Sequence, residues 1–321
     1  MKLHFGTIVW GTTYTNLLLK YALPSLLSTD NRAELMQHDI EYQIFTTRAD
    51  TRAIVDSPMF NILKRIGHVF INTIDQDPDD YDAQTLMNYH YRLFIRKAFE
   101  ADAYLKIVPP DVVISAGSIP NVMRHLRRGK MGIAIPVAAI RVDRERFLRL
   151  PMPYAPDGTL SIPPHDLVNS FLKTRHRETR DHFIDSENFY PYPAMILTPY
   201  PDGFSVNSFV AQAWFVRAKH DATGYIHGEY DYIYRALPDL NDIHIVGDSN
   251  EIFEVSITPH YFSWGENKFS DQMIKNGKGA ILGTLGGISN PYIEALFKHG
   301  YQAYSNIQKT SRRETGISWP G

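Results

Sequence analysis

Cysteine is absent from all 321 positions, which excludes a disulfide framework and any thiolate-ligated zinc centre. Long apolar runs are absent too, and no stretch approaches the ~20 residues that span a bilayer. The opening segment, MKLHFGTIVWGTTY, carries one lysine and a short apolar run broken by Gly6 and Gly11. It lacks the long apolar core and small-residue cleavage site of a secretory leader. The expected compartment is the cytoplasm, with peripheral contact at the inner face of a membrane as the remaining option. Charge of either sign is in little excess: the formal net charge is −2. Phosphate neutralisation asks for a basic surplus, so no nucleic-acid partner is expected. Two glycine signatures are also missing. No G-x-G-x-x-G follows the first strand and no G-x-x-x-x-G-K-[ST] occurs, which weakens NAD, S-adenosylmethionine-type and P-loop readings.

What is present describes a globular chain. Hydrophobic residues make up 44% and charged residues 21%, a balance that excludes broad disorder. The aromatics, 19 Tyr, 17 Phe and 4 Trp, fill core and suit stacking on hydroxyl-rich ligands. The first 140 residues alternate in type. Residues 3–10, 41–47 and 68–74 read as strands, with helices expected over 14–27 and about 51–66. An acidic loop over 75–82 leads into a helix over 82–104. There Met87, Tyr91, Phe94, Ala98, Ala101 and Leu105 recur at the spacing of one helical face. Two short strands, 105–108 and 112–115, flank the Pro-Pro-Asp step. A basic helix over 119–128 and a strand over 131–142 follow. This alternation predicts an α/β fold: a Rossmann-like, mostly parallel sheet with helices on both faces.

From Leu150 the texture changes. MPYAPDGTLSIPP places four of the chain's 20 prolines within 13 residues, then a helix is expected over 164–183 with prolines in its first turn. Residues 189–260 read as strand-rich, with a turn at Pro201-Asp202-Gly203. The tail offers a strand-turn-helix candidate, GAILGTLGGISNPYIEALFKHG. The expected organisation is a nucleotide-binding half over 1–150 and an acceptor-side half with a strand-rich elaboration over 151–321, together one catalytic domain.

Ligands of open α/β sheets bind outside the carboxyl ends of the strands. Those ends supply Gly11, Thr12 and Tyr14, then Thr46, Thr47 and Asp50, then Pro110-Asp111, then Arg141 and Asp143. Without a glycine-rich cradle, a bound pyrophosphate needs another neutraliser, and a divalent Mg²⁺ or Mn²⁺ on carboxylate oxygens is the common one. Each candidate has a plainer reading beside it. Asp111 suits a metal or diphosphate contact, or a solvated turn cap. Asp50 suits a base or ribose contact, or the N-cap of the next helix. Arg141 could fork onto a phosphate. Glu229 and Asp231, two apart in IHGEYDY, share a face if extended. Paired carboxylates raise one pKa, as a general base requires; the plainer reading is an exposed acidic turn. Asp248 and Glu251 resemble a capping box. His165, His176 and His182 match no short chelate spacing. Arg124, Arg127, Arg128 and Lys130 form a basic cluster that could meet diphosphate or anionic lipid.

The run from the first strand to IVPPDVVISAGS resembles a GT-A-type nucleotide-sugar-dependent glycosyltransferase. LPSLL, YQIFTTRAD, PPDVVISAGS, IRVDRERF and IHGEYDYI are also similar to an uncharacterised bacterial group with that fold, over about residues 5–255. In that fold a metal-binding Asp-x-Asp ends the fourth strand. Here Pro109-Pro110-Asp111 stands in its place, keeping only the last aspartate. The resemblance implies transfer of a sugar from a nucleotide-activated donor to a glycan or other hydroxyl acceptor, in bacterial surface-polysaccharide or glycoconjugate assembly. It places the donor base near Thr12, Tyr14 and Asp50, the diphosphate or its metal at Asp111, and the acceptor near Glu229 and Asp231. Two alternatives remain: nucleotidyl or pyruvyl transfer on the same scaffold, or a non-catalytic binding protein.

Overall fold

The computed structural model describes residues 1–76, 78, 81–137, 140–189, 195–208, 210–225, 232–261, 295–296 and 298–306. Glu229, Asp231 and most of the glycine-rich tail candidate lie outside the described residues.

The first half alternates as its periodicity predicts. Strands β1 (Lys2–Val9), β2 (Asp39–Thr46), β3 (His68–Thr73) and β4 (Tyr104–Ile107) are parallel neighbours. Between them run α1 (Thr12–Leu17), α2 (Leu23–Leu26), α3 (Thr29–Leu35), α4 (Arg48–Val55), α5 (Pro58–Ile66) and α6 (Ala83–Glu100). Proline accounts for two departures from the expected elements. A π-helical turn, Leu18–Ala22, separates α1 from α2. Pro24 has no N–H for the Lys20 carbonyl, and the Tyr154 hydroxyl donates to that carbonyl instead at 2.7 Å. The helix expected over 51–66 is two helices. Ser57 caps the second by accepting from the Phe60 N–H, and Pro58 occupies its first turn.

Beyond β4 come β5 (Val112–Ile114), α7 (Ser118–Arg127), β6 (Gly132–Ile135), β7 (Arg141–Asp143) and α8 (Arg144–Phe147). The strand expected over 131–142 is therefore two strands in different sheets. Pro136 follows β6 directly and has no N–H to continue a ladder. α9 (Pro164–Thr174) and α10 (Arg177–Asp181) replace one expected helix. The break comes at Arg175 and His176, where the His176 N–H leaves the helix for the Arg141 carbonyl at 3.0 Å. The strands and α-helix that follow are β8 (Met195–Tyr200), β9 (Gly203–Ser208), β10 (Gln212–Val216), α11 (Tyr232–Ala236), β11 (Ile243–Ile245), β12 (Glu254–Thr258) and β13 (Tyr301–Tyr304). The turn at Pro201-Asp202 joins β8 to β9 as an antiparallel hairpin.

Seven strands form the main sheet in the order β11-β6-β10-β4-β1-β2-β3. β10 alone runs antiparallel to its neighbours β4 and β6, and the remaining pairs are parallel. Two three-stranded sheets, β5-β12-β7 and β13-β9-β8, complete the strand-rich part. Alternation along β1 sends Leu3, Phe5 and Val9 into one hydrophobic cluster, with Leu26, Leu63 and Val122 from α2, α5 and α7. Ile8 enters a second cluster with Leu86 and Phe94 of α6 and Ile233 of α11. Helices thus cover both faces, as expected of the fold class. Gly6 permits a close approach of α6 to β1: a Cβ there would lie 2.6 Å from the Phe94 ring. No helix among the described residues is long and apolar enough to cross a membrane.

Candidate functional site

A cavity of about 550 Å³ opens at the carboxyl edge of the main sheet, within the size range of small-molecule sites. Strand direction explains its lining. Ile8, Val9 and Trp10 end β1, Pro109, Pro110 and Asp111 follow β4, and Val137 follows β6. β10 runs the other way, so it presents its first residue, Gln212, at the same edge, opposite Ile135. Asp82, Ala83 and Gln84 bring the first turn of α6 to the rim. Two N–H groups of that turn, those of Ala83 and Gln84, have no intrahelical partner, and the Asp82 carboxylate accepts from the Thr85 N–H at 2.9 Å.

The polar wall stands on the small sheet. Ser256 of β12 is in register with Val112 of β5 on one side and Arg141 of β7 on the other. Asp111, the residue before Val112, joins Ser256 and Arg141 in one polar row through its side chain. The Ser256 hydroxyl donates to Asp111 Oδ2 at 2.8 Å, and the Ile257 N–H donates to the Asp111 carbonyl at 2.8 Å. Burial raises the Asp111 pKa above the usual carboxylate range, against the opposing pull of the Ser256 hydroxyl and the Arg141 charge. Arg141 is 8% exposed and its Nη1 donates to Glu178 Oε2 at 3.1 Å. Tyr14 faces this row from α1. Burial, and then the Asp111 charge, push its hydroxyl pKa upward.

Glu254, two residues before Ser256 on β12, also lines the cavity. Its Oε2 accepts from Trp214 Nε1 at 2.7 Å, while Oε1 is buried with no hydrogen-bond partner among the described residues. The buried Lys106 ammonium lies 4.6 Å from the centre of the same Trp214 ring.

Of the residues singled out from sequence, Tyr14, Asp111 and Arg141 meet on this cavity. Thr12, Thr46 and Asp50 are not among its lining residues. Thr12 is exposed in the first turn of α1 and Thr46 is fully buried at the end of β2. Asp50 is 9% exposed and braces two loops. Its Oδ2 accepts from the Gly11 N–H at 2.9 Å and the Thr47 hydroxyl at 2.7 Å, and its Oδ1 from the Thr15 hydroxyl at 3.1 Å. The N-cap of α4 is Thr47, with Asp50 three residues on in a reciprocal pair.

The other sequence candidates resolve into local partners. Arg124 donates to Asn121 Oδ1, Arg127 pairs with Glu34, and Lys130 donates to the Asn241 carbonyl. None of these lines the cavity. His176 is fully buried with its Nε2 at 3.0 Å from the Pro259 carbonyl. Asp248 and Glu251 begin no α-helix; the Glu251 carboxylate meets His125 and His244 instead.

Trp10, Gln212, Glu254 and Ser256 were not found from sequence. The last two had a usable signal, since residues two apart on a strand share a face. Asp111, which the Ser256 hydroxyl meets to make that face a wall, lies 145 residues away in sequence.

No family model matches the chain, and no curated protein matches it in sequence. Solved structures to which it is similar include mouse xyloside xylosyltransferase 1 in its apo form, at 9% identity and a TM-score of 0.29. That likeness covers 46% of this chain and 57% of that one. A Bacillus anthracis protein assigned as a glucose-1-phosphate thymidylyltransferase, in complex with sucrose, is similar at 15% identity and a TM-score of 0.27. It covers 45% of this chain and 58% of the other. The likenesses thus span less than two thirds of the matched chains, and at such TM-scores neither fixes topology or function.

Proposed function

We propose that this chain transfers a sugar from a nucleotide-activated donor to a hydroxyl of a glycan or similar acceptor. One observation carries the reading: the carboxyl-edge cavity sets the aromatic side chains of Trp10 and Tyr14 against the Asp111–Ser256–Arg141 row. An aromatic flank suits a base or sugar face, and the row offers a hydroxyl and a guanidinium to phosphate oxygens. The cavity volume of about 550 Å³ suits a ligand of that class.

Asp111 supplies a hard carboxylate oxygen of the kind that Mg²⁺ or Mn²⁺ takes, and its raised pKa reflects a buried charge that a cation would relieve. Among the described residues no third protein ligand gathers at Asp111, which fits an ion shared with the donor's phosphates. Such an ion, when bound, supplies positive charge to the departing diphosphate. Arg141 and Ser256 stabilise the same leaving group from the wall. The acceptor oxygen attacks the anomeric carbon, the bond from that carbon to the diphosphate oxygen breaks, and the hydroxyl proton passes to a carboxylate. Asp231, with Glu229 beside it, is the proposed base, on the strength of the acidic pair in the sequence.

Melting the protein with UDP, GDP and CMP sugars, with and without Mn²⁺, tests the reading. A melting shift with one nucleotide class, dependent on Asp111 and followed by donor turnover that Asp231→Asn abolishes, is the expected result. No response to any nucleotide sugar refutes it. Pyrophosphate release from a nucleoside triphosphate and a sugar phosphate would replace it with nucleotidyl transfer.

A further inference from the structure

Away from the cavity, one side-chain cluster has the composition of a metal centre. His125 of α7, His244 of β11 and Glu251 of the turn before β12 place their ligand atoms within 4.8 Å of one another. His125 Nε2 lies 2.8 Å and His244 Nε2 2.7 Å from the same oxygen, Glu251 Oε1. The two imidazoles stack at 3.5 Å between centroids, 9° from parallel. We propose that this triad is a zinc site, separate from the cavity and from any cation at Asp111.

The donor set selects the metal class. Two imidazole nitrogens and one carboxylate oxygen suit Zn²⁺, whereas Mg²⁺ and Ca²⁺ take oxygen. Zinc bonds of about 2.0–2.1 Å in a tetrahedron put neighbouring donors about 3.3 Å apart. The observed nitrogen-to-oxygen spacings need open by only about half an ångström. All three side chains are partly exposed, so that adjustment and an entry path for the ion are both available. A fourth position is left for water, as in open zinc sites. Arg124 and Arg128 near His125 oppose a cation, so binding is weaker than in a four-ligand structural centre.

The ligands stand on fixed supports. His244 is in the ladder with Ile133, and His125 is in the last turn of α7. The turn bearing Glu251 is pinned by Asn121 Nδ2, which donates to the Asn250 and Glu251 carbonyls at 3.0 and 2.9 Å. Ser249 N–H donates to the Gln302 carbonyl and the Asp248 carboxylate accepts from the Asn250 N–H, both at 2.8 Å. Zinc would thus tie a helix, the edge strand β11 and the start of β12 together. β12 carries Glu254 and Ser256 of the cavity wall.

The test is zinc binding to the full chain after chelator treatment, read by metal content and by competition with a chromogenic chelator. The expected result is one zinc per chain, with a melting rise of about 4 °C or more at a hundredfold excess over the dissociation constant. Cobalt in place of zinc should give the visible bands of a tetrahedral ion. His125→Asn/His244→Asn should lose both signals, and Glu251→Gln should weaken binding at least about tenfold. Asp111→Asn should bind zinc as the unaltered protein does, whether or not the sugar-transfer reading holds. No zinc on the unaltered chain overturns the proposal, as does equal binding by the double variant or loss of zinc in Asp111→Asn alone.

Discussion

Replacing Asp50 by alanine removes one carboxylate and leaves three donors facing the gap: the Gly11 N–H and the hydroxyls of Thr15 and Thr47. A hydrogen bond to a charged acceptor contributes about 1.5–3 kcal/mol, so a plain sum would reach roughly 5–9 kcal/mol. The sum is too large here for two reasons. Gly11 is exposed, so water can take its N–H, and the Thr47 hydroxyl is only partly buried and can turn toward other acceptors. Thr15 is 3% exposed and carries most of the penalty. One full loss and two partial ones come to about 3 kcal/mol. Urea unfolding followed by far-UV circular dichroism reads this directly. With a slope of about 3 kcal/mol per molar for a chain of this size, the midpoint should fall by about 1 M at unchanged slope. A midpoint within about 0.2 M of the unaltered protein would show that the brace contributes little. If nucleotide affinity vanished at unchanged midpoint, Asp50 would be a ligand contact, as the sequence alone allowed.

Asp111→Asn should abolish donor turnover yet melt higher than the unaltered protein at neutral pH. The folded-state pKa of Asp111 is raised, so its ionised form costs stability above that value and the cost disappears as pH falls through it; the two melting curves should therefore converge in acid. His90 is 3% exposed, neither ring nitrogen has a partner among the described residues, and burial lowers its pKa to about 4. A lowered histidine pKa means stability is intact above the ordinary histidine value of 6.5 and is lost as pH falls toward about 4; the loss from about pH 7 to about pH 5 is roughly 2 kcal/mol. His90→Leu should remove that acid sensitivity in urea melts, and an unchanged pH dependence would refute the assignment.

Residues 1–107 were largely legible because their apolar positions repeat at 2.0 and 3.6 residues, and such periods survive without tertiary information. The errors concentrate where one residue disrupts the backbone. Pro24 leaves the Lys20 carbonyl to Tyr154, Pro58 starts a new helix, and Pro136 stands where the strand expected to 142 stops. At His176 the break is tertiary, since its N–H goes to Arg141, which no local pattern reports. The same distinction governs the site. Asp111 was legible as a strand-end residue. Glu254 and Ser256 become part of a site only through pairing of β12 with β5 and β7, a non-local contact. His125 sits within a basic cluster that the sequence pointed toward diphosphate or anionic lipid, and its partners are more than 100 residues on.

The Pro109-Pro110-Asp111 step, which looked like an eroded Asp-x-Asp, has a mechanical account of its own. These residues cross from the main sheet to the small one with almost no secondary structure between. On the near side the Val108 N–H donates to the Gly6 carbonyl of β1 at 2.8 Å, and the Thr7 hydroxyl donates to the Val108 carbonyl at 3.0 Å. On the far side the Asp111 carbonyl accepts from Ile257, and its carboxylate from Ser256. Between these anchors, two prolines hold φ near −65° and need no backbone partner for a missing N–H. A chain so restrained gives up little further entropy when Asp111 takes a ligand. An Asp at position 109 would add a second carboxylate but restore φ freedom and an N–H that needs a partner. The proline pair therefore exchanges a second acidic group for a fixed position of the first. That suits the proposed site, in which Asp111 would share a cation with the donor's phosphates and stands near Arg141 of the small sheet.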